Sequence, residues 1–330
     1  MRNIFLNYLF EEAARDPNLY LVVGDVGYSV IEKFQEKYPE RMVNAGVAEQ
    51  NMVGMAAGLA MAGKNVYVYS IVPFACMRCF EQIRVDVCYQ NLPIKIVGNG
   101  GGYSYGQAGV THHALEDVAI MRVLPGMTVV SPGSNREVKD LIPQINHLDG
   151  PSYLRLSTHE ELVQYPEQTL CKLGKAIEII PHDEILIVGT GNGLDLAWQT
   201  CKTLEAQGIP TGLVSMPTIK PFDSEFFLAR HKNVKAIFTI EEHSVIGGLG
   251  EAASSFIAQS MPNKIIFKAF GVQDFYYHTV GSRAYLKKHA GLEAEQISTT
   301  IKQLLNAAQI EQTSLLPGST IDKAITHKNI

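Results

Sequence analysis

Residues 44–63, with the sequence NAGVAEQNMVGMAAGLAMAG, place one acidic residue at the head of an uncharged, glycine-rich stretch. No charged side chain follows Glu49 until Lys64. The apolar content predicts a helix that is buried on most sides, with Gly54 and Gly58 packed closely against other backbone. A buried helix with a lone carboxylate in its first turn constrains both how this chain packs and what chemistry it can support.

Two interpretations of Glu49 follow from the sequence. In the simpler one, the carboxylate complements the positive end of the helix dipole, which stabilises a helix by up to about 1 kcal/mol. In the other, apolar neighbours such as Met52 and Val53 favour the protonated acid, so that it shares a proton with a nitrogen atom of a ligand. The dipole opposes that protonation, and the sequence leaves both interpretations open.

The segment Gly46-Val47-Ala48-Glu49-Gln50-Asn51, followed by Gly54, resembles a motif in the pyrimidine-binding domain of transketolases and other thiamine-diphosphate enzymes. The resemblance implies that Glu49 hydrogen-bonds a ring nitrogen of the cofactor's aminopyrimidine. In that family this contact promotes the imino tautomer, which activates the cofactor's nucleophilic carbon. Glu49 is therefore predicted both to bind the cofactor and to act in catalysis.

Composition limits the class of protein. The chain has 330 residues, of which 46% are hydrophobic and 18% charged, and this predicts a globular protein with two sizeable domains. A net charge of -5 argues against binding to nucleic acid or to an anionic membrane. No apolar run reaches the length of a membrane span, and Glu11 and Glu12 interrupt the only apolar N-terminal pattern that a signal peptide could use.

Cysteine usage predicts the compartment. The chain has an odd number of cysteines, which fits free thiols in a reducing environment, and we therefore expect a cytoplasmic protein. The five residues are Cys76, Cys79, Cys88, Cys171 and Cys201.

Short apolar runs alternate with helical patterns, which predicts an α/β fold made of two doubly wound domains with parallel sheets. In the first domain, strands are expected at 19–23, 66–70, 94–98, 128–130 and 152–156, and helices at 3–15, 76–90 and 134–147. In the second, strands are expected at 184–189, 211–215, 235–241 and 264–270, and helices at 192–207, 223–231, 247–260 and 294–307. Polar, irregular sequence between them predicts a boundary. The predicted units are a pyrimidine-binding domain at 1–160, a linker at 161–182 that includes a possible strand at 176–180, a smaller transketolase C-terminal-like domain at 183–310, and a tail at 311–330.

Three further residues enter through the resemblance. It implies that Phe74, after strand 66–70, stacks on the pyrimidine ring, although a core aromatic is the simpler interpretation. Arg78 lies where deoxyxylulose-phosphate synthases carry an arginine that reaches a substrate phosphate, and a surface ion pair is the alternative. Asp25, in Gly24-Asp25-Val26, matches a loop near the cofactor in that family.

A glycine-rich segment at 98–106 follows strand 94–98 and predicts a loop whose backbone approaches another group closely. It leads to His112, which matches a histidine that in transketolases binds substrate and moves protons at its carbonyl and hydroxyl groups. Val110 and Ala108 depart from the family pattern, where a proline and an aspartate stand. These departures leave the sugar specificity open.

Arg155 lies on an otherwise apolar strand, where a charged side chain needs a partner. The simpler prediction is a structural carboxylate. The resemblance implies instead that Arg155 grips a sugar phosphate through a bidentate pair.

Three other features are assigned structural roles. Cys76 and Cys79 have redox or zinc spacing, but no second Cys or His pair accompanies them, so two buried thiols are predicted. The Gly189-x-Gly191-x-Gly193 run lacks the rest of a dinucleotide fingerprint and predicts a tight strand-to-helix turn. His243 follows two glutamates in a segment that resembles the transketolase C-terminal domain, where it is expected to be structural or interfacial.

The family anchors the cofactor's diphosphate and a divalent metal through a Gly-Asp-Gly motif and an Asn pair, and this sequence contains neither. We therefore predict that a partner chain supplies the diphosphate- and Mg-binding domain, with helix 52–62 at the interface, and that the C-terminal domain supports self-association into a heterotetramer. No metal ligand is predicted in this chain.

The predicted function is that of the C-terminal subunit of a split transketolase, which transfers a two-carbon ketol unit between sugar phosphates with thiamine diphosphate. The alternatives are a deoxyxylulose-phosphate-synthase-like subunit, the β chain of a 2-oxoacid dehydrogenase and, from another class, a non-catalytic scaffold.

Overall fold

The computed structural model describes residues 1–27, 30–157 and 162–314. Its strands are β1 (Leu19–Val23), β2 (Met42–Asn44), β3 (Asn65–Ile71), β4 (Lys95–Asn99), β5 (Thr128–Val130), β6 (Ser152–Leu156), β7 (Ile177–Ile180), β8 (Ile185–Gly189), β9 (Gly212–Ser215), β10 (Thr218–Lys220), β11 (Ala236–Ser244) and β12 (Ile266–Val272).

The α-helices are α1 (Arg2–Arg15), α2 (Glu32–Lys37), α3 (Glu49–Met61), α4 (Phe80–Gln82), α5 (Asp117–Val123), α6 (Asn135–Asn146), α7 (Gly193–Ala206), α8 (Ser224–Leu228), α9 (Leu249–Ser260), α10 (Arg283–His289) and α11 (Ala294–Ser314). Short 3₁₀ segments lie at Pro39–Arg41 and Gly106–Ala108, and π-helical segments lie at Pro73–Met77 and Ile83–Cys88.

The strands form two sheets. The first has the order β10-β5-β6-β4-β3-β1-β2 and the second the order β12-β11-β8-β9-β7. These strands pair in parallel except for β10 with β5 and β7 with β9, which are antiparallel edge pairings. The predicted class of two α/β domains with parallel sheets is confirmed, because continuous runs of Val, Ile and Leu suit strands that are covered on both faces.

One edge strand crosses between the domains. β10 follows a strand of the second sheet in the chain, yet it pairs with β5 of the first. Its Lys220 ammonium donates to the carbonyl of Arg122 at 3.0 Å and also to that of Leu124. The two sheets are thus joined by hydrogen bonds, which holds the domains in one arrangement.

The helix expected at 76–90 is less regular than predicted. Pro73–Met77 and Ile83–Cys88 are π-helical, and the amide of Arg78 donates to the carbonyl of Pro73, five residues earlier. Such widened turns change which side chains share a face, and they are frequent at functional sites. Here the widened turns carry Phe74 and precede Arg78.

Helix α3 begins at Glu49 and buries Met52, Val53, Ala56 and Ala57. The expected close packing through Gly54 and Gly58 is wrong for this chain alone, since a Cβ built on either glycine would have no described heavy atom within 4 Å apart from adjacent residues and the helix's own backbone. Both glycines lie on the exposed face of the helix. The uncharged sequence therefore has one buried face and one open face.

The C-terminal segment begins as a helix. α11 continues to Ser314, so the first residues of the predicted tail are helical, and residues 315–330 lie outside the described part of the chain. Across the described ranges, none of the helices combines the length and the apolar character that crossing a bilayer would need.

Candidate active site

Four neighbouring parallel strands, in the sheet order β4-β3-β1-β2, deliver the candidate residues to one edge of the first sheet. β2 leads to Glu49, β1 to Asp25, β3 to Phe74 and β4 to the glycine-rich loop. Because the carboxyl ends of parallel strands open into a crevice where α/β proteins bind ligands, this edge is the expected position of a site.

Glu49 is a buried carboxylate at the first position of α3, with only 1% of its surface exposed. The backbone of Gly24 lies against it, since a Cβ at that position would be 3.3 Å from the Glu49 Cγ atom. A buried charge needs a partner, and here it is Arg78, whose Nη1 atom lies 2.8 Å from Oε2 of Glu49.

Arg78 makes a second contact at the same point. Its guanidinium carbon lies 4.4 Å from the centroid of the Phe74 ring, and its side chain is 43% exposed. The planar guanidinium therefore donates to a buried carboxylate while it covers an aromatic face. The ion-pair interpretation of Arg78 is the one that this structure displays, but its partner is the predicted cofactor-binding acid.

His112 joins the same cluster. Its ring centroid lies 5.2 Å from that of Phe74, and its Nδ1 atom lies 2.9 Å from the Thr111 hydroxyl. Tyr105 flanks the imidazole at 6.2 Å between centroids, and its hydroxyl accepts a hydrogen bond from Asn99 at 2.6 Å. Sequence reasoning did not single out Tyr105 or Asn99, although both lie in or beside the glycine-rich segment.

Asp25 lies beside Gly24 at the end of β1 and has a left-handed backbone with φ of 53°. Its amide donates to Oδ1 of Asn44 at 3.0 Å, and the Asn44 amide donates back to its carboxylate at 3.1 Å. This reciprocal pair fixes the two loops that follow β1 and β2. Asp25 directly follows Gly24, whose backbone lies against Glu49.

The glycine-rich segment approaches side chains of this chain itself. A Cβ at Gly100 would clash with the Tyr105 ring at 2.1 Å, and one at Gly102 with the Glu242 carboxylate at 2.4 Å. A Cβ at Gly101 would lie 2.7 Å from the Cζ atom of Arg155. The close approach that the sequence predicted thus serves to seat Tyr105 beside His112 and to bring the second domain against the first.

Arg155 is the main correction to the predicted site. It is 2% exposed, and its Nε atom donates to Asp117 at 2.7 Å. Its Nη2 atom donates to the carbonyls of Ala114 and Glu242 at 2.8 and 3.1 Å. The guanidinium is enclosed and committed to protein partners, so the structure favours the structural-carboxylate interpretation over a site for a substrate phosphate.

His243 and the two glutamates before it lie between the domains. The Nε2 atom of His243 accepts from the amide of Ala119, and Glu241 accepts from the amides of Leu249 and Gly250 at the start of α9. Glu242 pairs with Arg283 at 2.8 Å. Nearby charges, chiefly Arg283, outweigh burial and lower the pKa of Glu242. These contacts fit the structural or interfacial role predicted for His243.

The five cysteines, all within the described residues, form no disulfide. All five are free and buried, and the thiols of Cys76 and Cys79 donate to the carbonyls of Val72 and Ala75. Burial raises the pKa of Cys79 to about 12, which keeps that thiol protonated and unreactive. Within the part of the chain that the structure describes, no group of three or more His, Cys, Asp or Glu side chains is arranged to hold a metal ion.

The Gly189-to-Gly193 run forms the predicted tight turn into α7. A Cβ at Gly193 would lie 2.5 Å from the carbonyl oxygen of Ile240, so only glycine lets this turn pack against β11.

The cluster fits a flat, nitrogen-rich ring. Arg78 uses a planar group with N–H donors to contact Glu49 and a π face to contact Phe74. An aminopyrimidine offers the same two features, a nitrogen-rich edge and a flat face. Glu49 and Phe74 are thus the residues that would hold such a ring, once Arg78 has moved from between them.

Comparison with known proteins identifies the family of each domain. Residues 1–161 match the family model for the transketolase pyrimidine binding domain, and residues 174–297 match that for the transketolase C-terminal domain. The chain is 35% identical over 298 residues to the 6-deoxy-6-sulfo-D-fructose transketolase subunit SqwH of Clostridium sp. (strain MSTE9), covering 90% of this chain and 92% of that one. It is 31% identical over 298 residues to an apulose-4-phosphate transketolase subunit of Actinobacillus succinogenes, covering 90% and 96%.

A solved structure described as a split-gene transketolase, an inactive β4 tetramer, superimposes with a TM-score of 0.83 at 31% identity and covers 92% of this chain and 98% of that one. The fold and the family match thus define a two-domain α/β protein whose first domain is of the pyrimidine-binding type. The chain belongs to the transketolase family, whose members are transferases, and it carries the pyrimidine-binding and C-terminal domains of that family. Membership of this family implies dependence on thiamine diphosphate.

Proposed function

We propose that this chain is the C-terminal, pyrimidine-binding subunit of a two-chain, thiamine-diphosphate-dependent transketolase. The observation that carries the proposal is the contact set of Glu49, Phe74 and Arg78, where a planar cationic group lies between a buried carboxylate and an aromatic ring. The similarity to proteins described as transketolase subunits supports the same function.

Each residue of the cluster has a role in the proposed site. Glu49 holds a proton at a ring nitrogen of the pyrimidine, and its burial keeps water from competing for that proton. Phe74 supports the face of the ring, and Asp25 fixes the rim of the site. When bound, thiamine diphosphate supplies the nucleophilic carbon that accepts and releases the ketol unit.

His112 is the proposed acid and base for the substrate. It lies in contact distance of Phe74, beside Thr111, and an imidazole ring carries one nitrogen that can donate a hydrogen bond and one that can accept it. In this position it moves protons at the carbonyl and hydroxyl groups of the sugar. Tyr105 limits the movement of the ring on another side.

Arg78 has two successive roles. Before the cofactor binds, it neutralises Glu49 and covers Phe74. The pyrimidine ring would contact the same carboxylate and the same aromatic face, so the Arg78 side chain has to move away from Glu49 and Phe74 when the ring binds. The released guanidinium is then available for a substrate phosphate, as a half-exposed cation at the mouth of the site. Arg155, enclosed by Asp117, is not part of this proposal.

The partner chain completes the site. We propose that it provides the diphosphate and Mg²⁺ ligands and that it packs against the open face of α3. That face carries Gly54 and Gly58, with Met55 and Met61 exposed by 36% and 60% beside them. Apolar surface of this kind next to a cofactor site favours an interface between chains. Self-association through the C-terminal domain would give a heterotetramer in the cytoplasm.

A cofactor titration tests the proposal. Thiamine diphosphate with Mg²⁺ is titrated calorimetrically into a mixture of this chain and the partner, with wild-type chain and with Arg78→Ala. We expect Arg78→Ala to bind about tenfold more tightly, because the cofactor no longer displaces an ion pair and a cation–π contact that together stabilise the free state by about 1–2 kcal/mol.

Arg84→Ala is the matched control, because Arg84 pairs with the exposed Glu81 on the next turns of the same segment. It should leave the affinity unchanged. Weaker binding by Arg78→Ala would contradict the displacement and would make Arg78 a direct ligand of the cofactor. Absence of binding by every mixture would contradict the proposed function itself.

A further inference from the structure

A cavity whose lining does not include Glu49 lies between the glycine-rich segment with the loop that follows it and the segment after β12. Its volume is about 260 Å³. We call this space the aromatic cavity. Its lining includes Tyr103, His113, Glu116, Asp274, Phe275 and Tyr277. The described residues that line it include two carboxylates and no lysine or arginine.

The rings in this cavity meet at steep angles. Tyr103 and Tyr277 are edge to face, with centroids 6.4 Å apart and planes at 81°. Phe275 lies 4.6 Å from Tyr277 at 49°, and His113 lies 5.2 Å from Tyr103 at 85°. These rings are inclined to one another, so the aromatic part of the lining is not flat.

One polar group in the cavity wall has no partner. Tyr103 is fully buried, and its hydroxyl makes no hydrogen bond to any of the described residues. An unmade hydrogen bond in a buried position is costly, and it calls for an explanation. Burial, and then the neighbouring Tyr277, Glu242 and Glu116, raise the pKa of this hydroxyl. Burial and the neighbouring carboxylates therefore keep this hydroxyl in its neutral form.

We propose that the aromatic cavity binds a small organic ammonium cation. Aromatic faces attract such cations, and the attraction grows when the cation loses water. Glu116 and Asp274 supply the balancing negative charge. An anion would meet two carboxylates without a basic residue, and a bare metal ion would lack the three clustered ligands that the described residues nowhere provide.

The volume limits the ligand further. At about 260 Å³ the cavity is smaller than ordinary sites for drug-sized molecules. It has room for a head group with a few carbon atoms. Phe275 and Tyr276, which are 57% and 66% exposed, leave the cavity open on that side, so a longer amine could extend outward.

The test compares a cation with its uncharged isostere. Choline, tetramethylammonium and 3,3-dimethylbutan-1-ol are each titrated into the full chain by ligand-observed NMR and calorimetry, without thiamine diphosphate. We expect both cations to bind and the alcohol, which has the shape of choline, to bind at least tenfold more weakly. Absence of binding by both cations, or equal affinity for choline and the alcohol, would overturn the proposal.

Variants locate the site. Glu116→Gln removes one negative charge and should weaken choline binding about tenfold. Tyr277→Leu removes one aromatic ring from the lining and should weaken choline binding by at least as much. The control is Glu11→Gln, which neutralises an exposed carboxylate on α1. If Glu11→Gln and Glu116→Gln weaken binding equally, choline is responding to net charge and the site is not the aromatic cavity.

Discussion

Replacing Glu49 by glutamine is expected to lower turnover of the reconstituted two-chain enzyme by about 10²- to 10⁴-fold, the range lost when a positioned acid or base is removed. Glutamine keeps the shape of the side chain and can still accept a hydrogen bond, but it cannot hold or release the proton at the pyrimidine nitrogen. The measurement is the steady-state rate of two-carbon transfer at saturating cofactor.

The control separates catalysis from helix stability. Glu251 is an exposed acid in the first turn of α9, and Glu251→Gln removes the same interaction with a helix dipole without touching the cluster. We expect that variant to retain full activity and to lose at most about 1 kcal/mol of stability. If Glu49→Gln behaves like Glu251→Gln, the carboxylate is only a dipole partner, and the chain is a scaffold rather than a catalytic subunit.

Substitution of Asp117 by alanine is expected to lower the free energy of unfolding by about 3–5 kcal/mol, because it leaves the Arg155 guanidinium buried without its carboxylate. Both side chains are at most 2% exposed, and they are 2.7 Å apart. Asp117 also accepts from the Tyr153 hydroxyl at 2.7 Å, which adds to the loss. Urea denaturation followed by circular dichroism measures the effect.

Two further variants sharpen this prediction. Lys235→Ala breaks the exposed pair with Glu184 and should cost less than about 1 kcal/mol. The double variant Asp117→Leu with Arg155→Met should be less destabilised than the sum of its single variants, since no charge is left buried. A result in which Arg155→Met retains full stability and raises only the KM for phosphorylated sugars would restore Arg155 as a substrate ligand.

The regular part of the fold is readable from the sequence. β1, β5 and β6 have the predicted bounds, because each is a short apolar run between turn residues. β10 is different, since Thr218–Lys220 has only three residues and its partner β5 lies in the other domain. A pairing between distant segments leaves no periodic signal in either one.

The sequence predicts which residue types form the site, but not all of the contacts between them. The sequence around Glu49 is enough to place this residue at the start of a helix. The apolar strand around Arg155 is enough to show that its charge needs a buried partner. The ion pair between Glu49 and Arg78 joins residues 29 positions apart, and it depends on the π-helical turns after Pro73. The sequence placed helix 52–62 at an interface, but it did not show that Gly54 and Gly58 are open within this chain. A helix that packs against a partner has the same apolar pattern as one that packs within its own chain.

An assay of two-carbon transfer from a ketose phosphate to an aldose tests most directly whether this chain and a partner share one active site. Thiamine diphosphate and Mg²⁺ are present throughout, and the rate is measured for this chain alone, for the partner alone and for an equimolar mixture. We predict that a new ketose forms only in the mixture. Transfer by this chain alone would contradict the shared site, as would a folded mixture that forms no new ketose or that acts only on a 2-oxoacid with release of carbon dioxide.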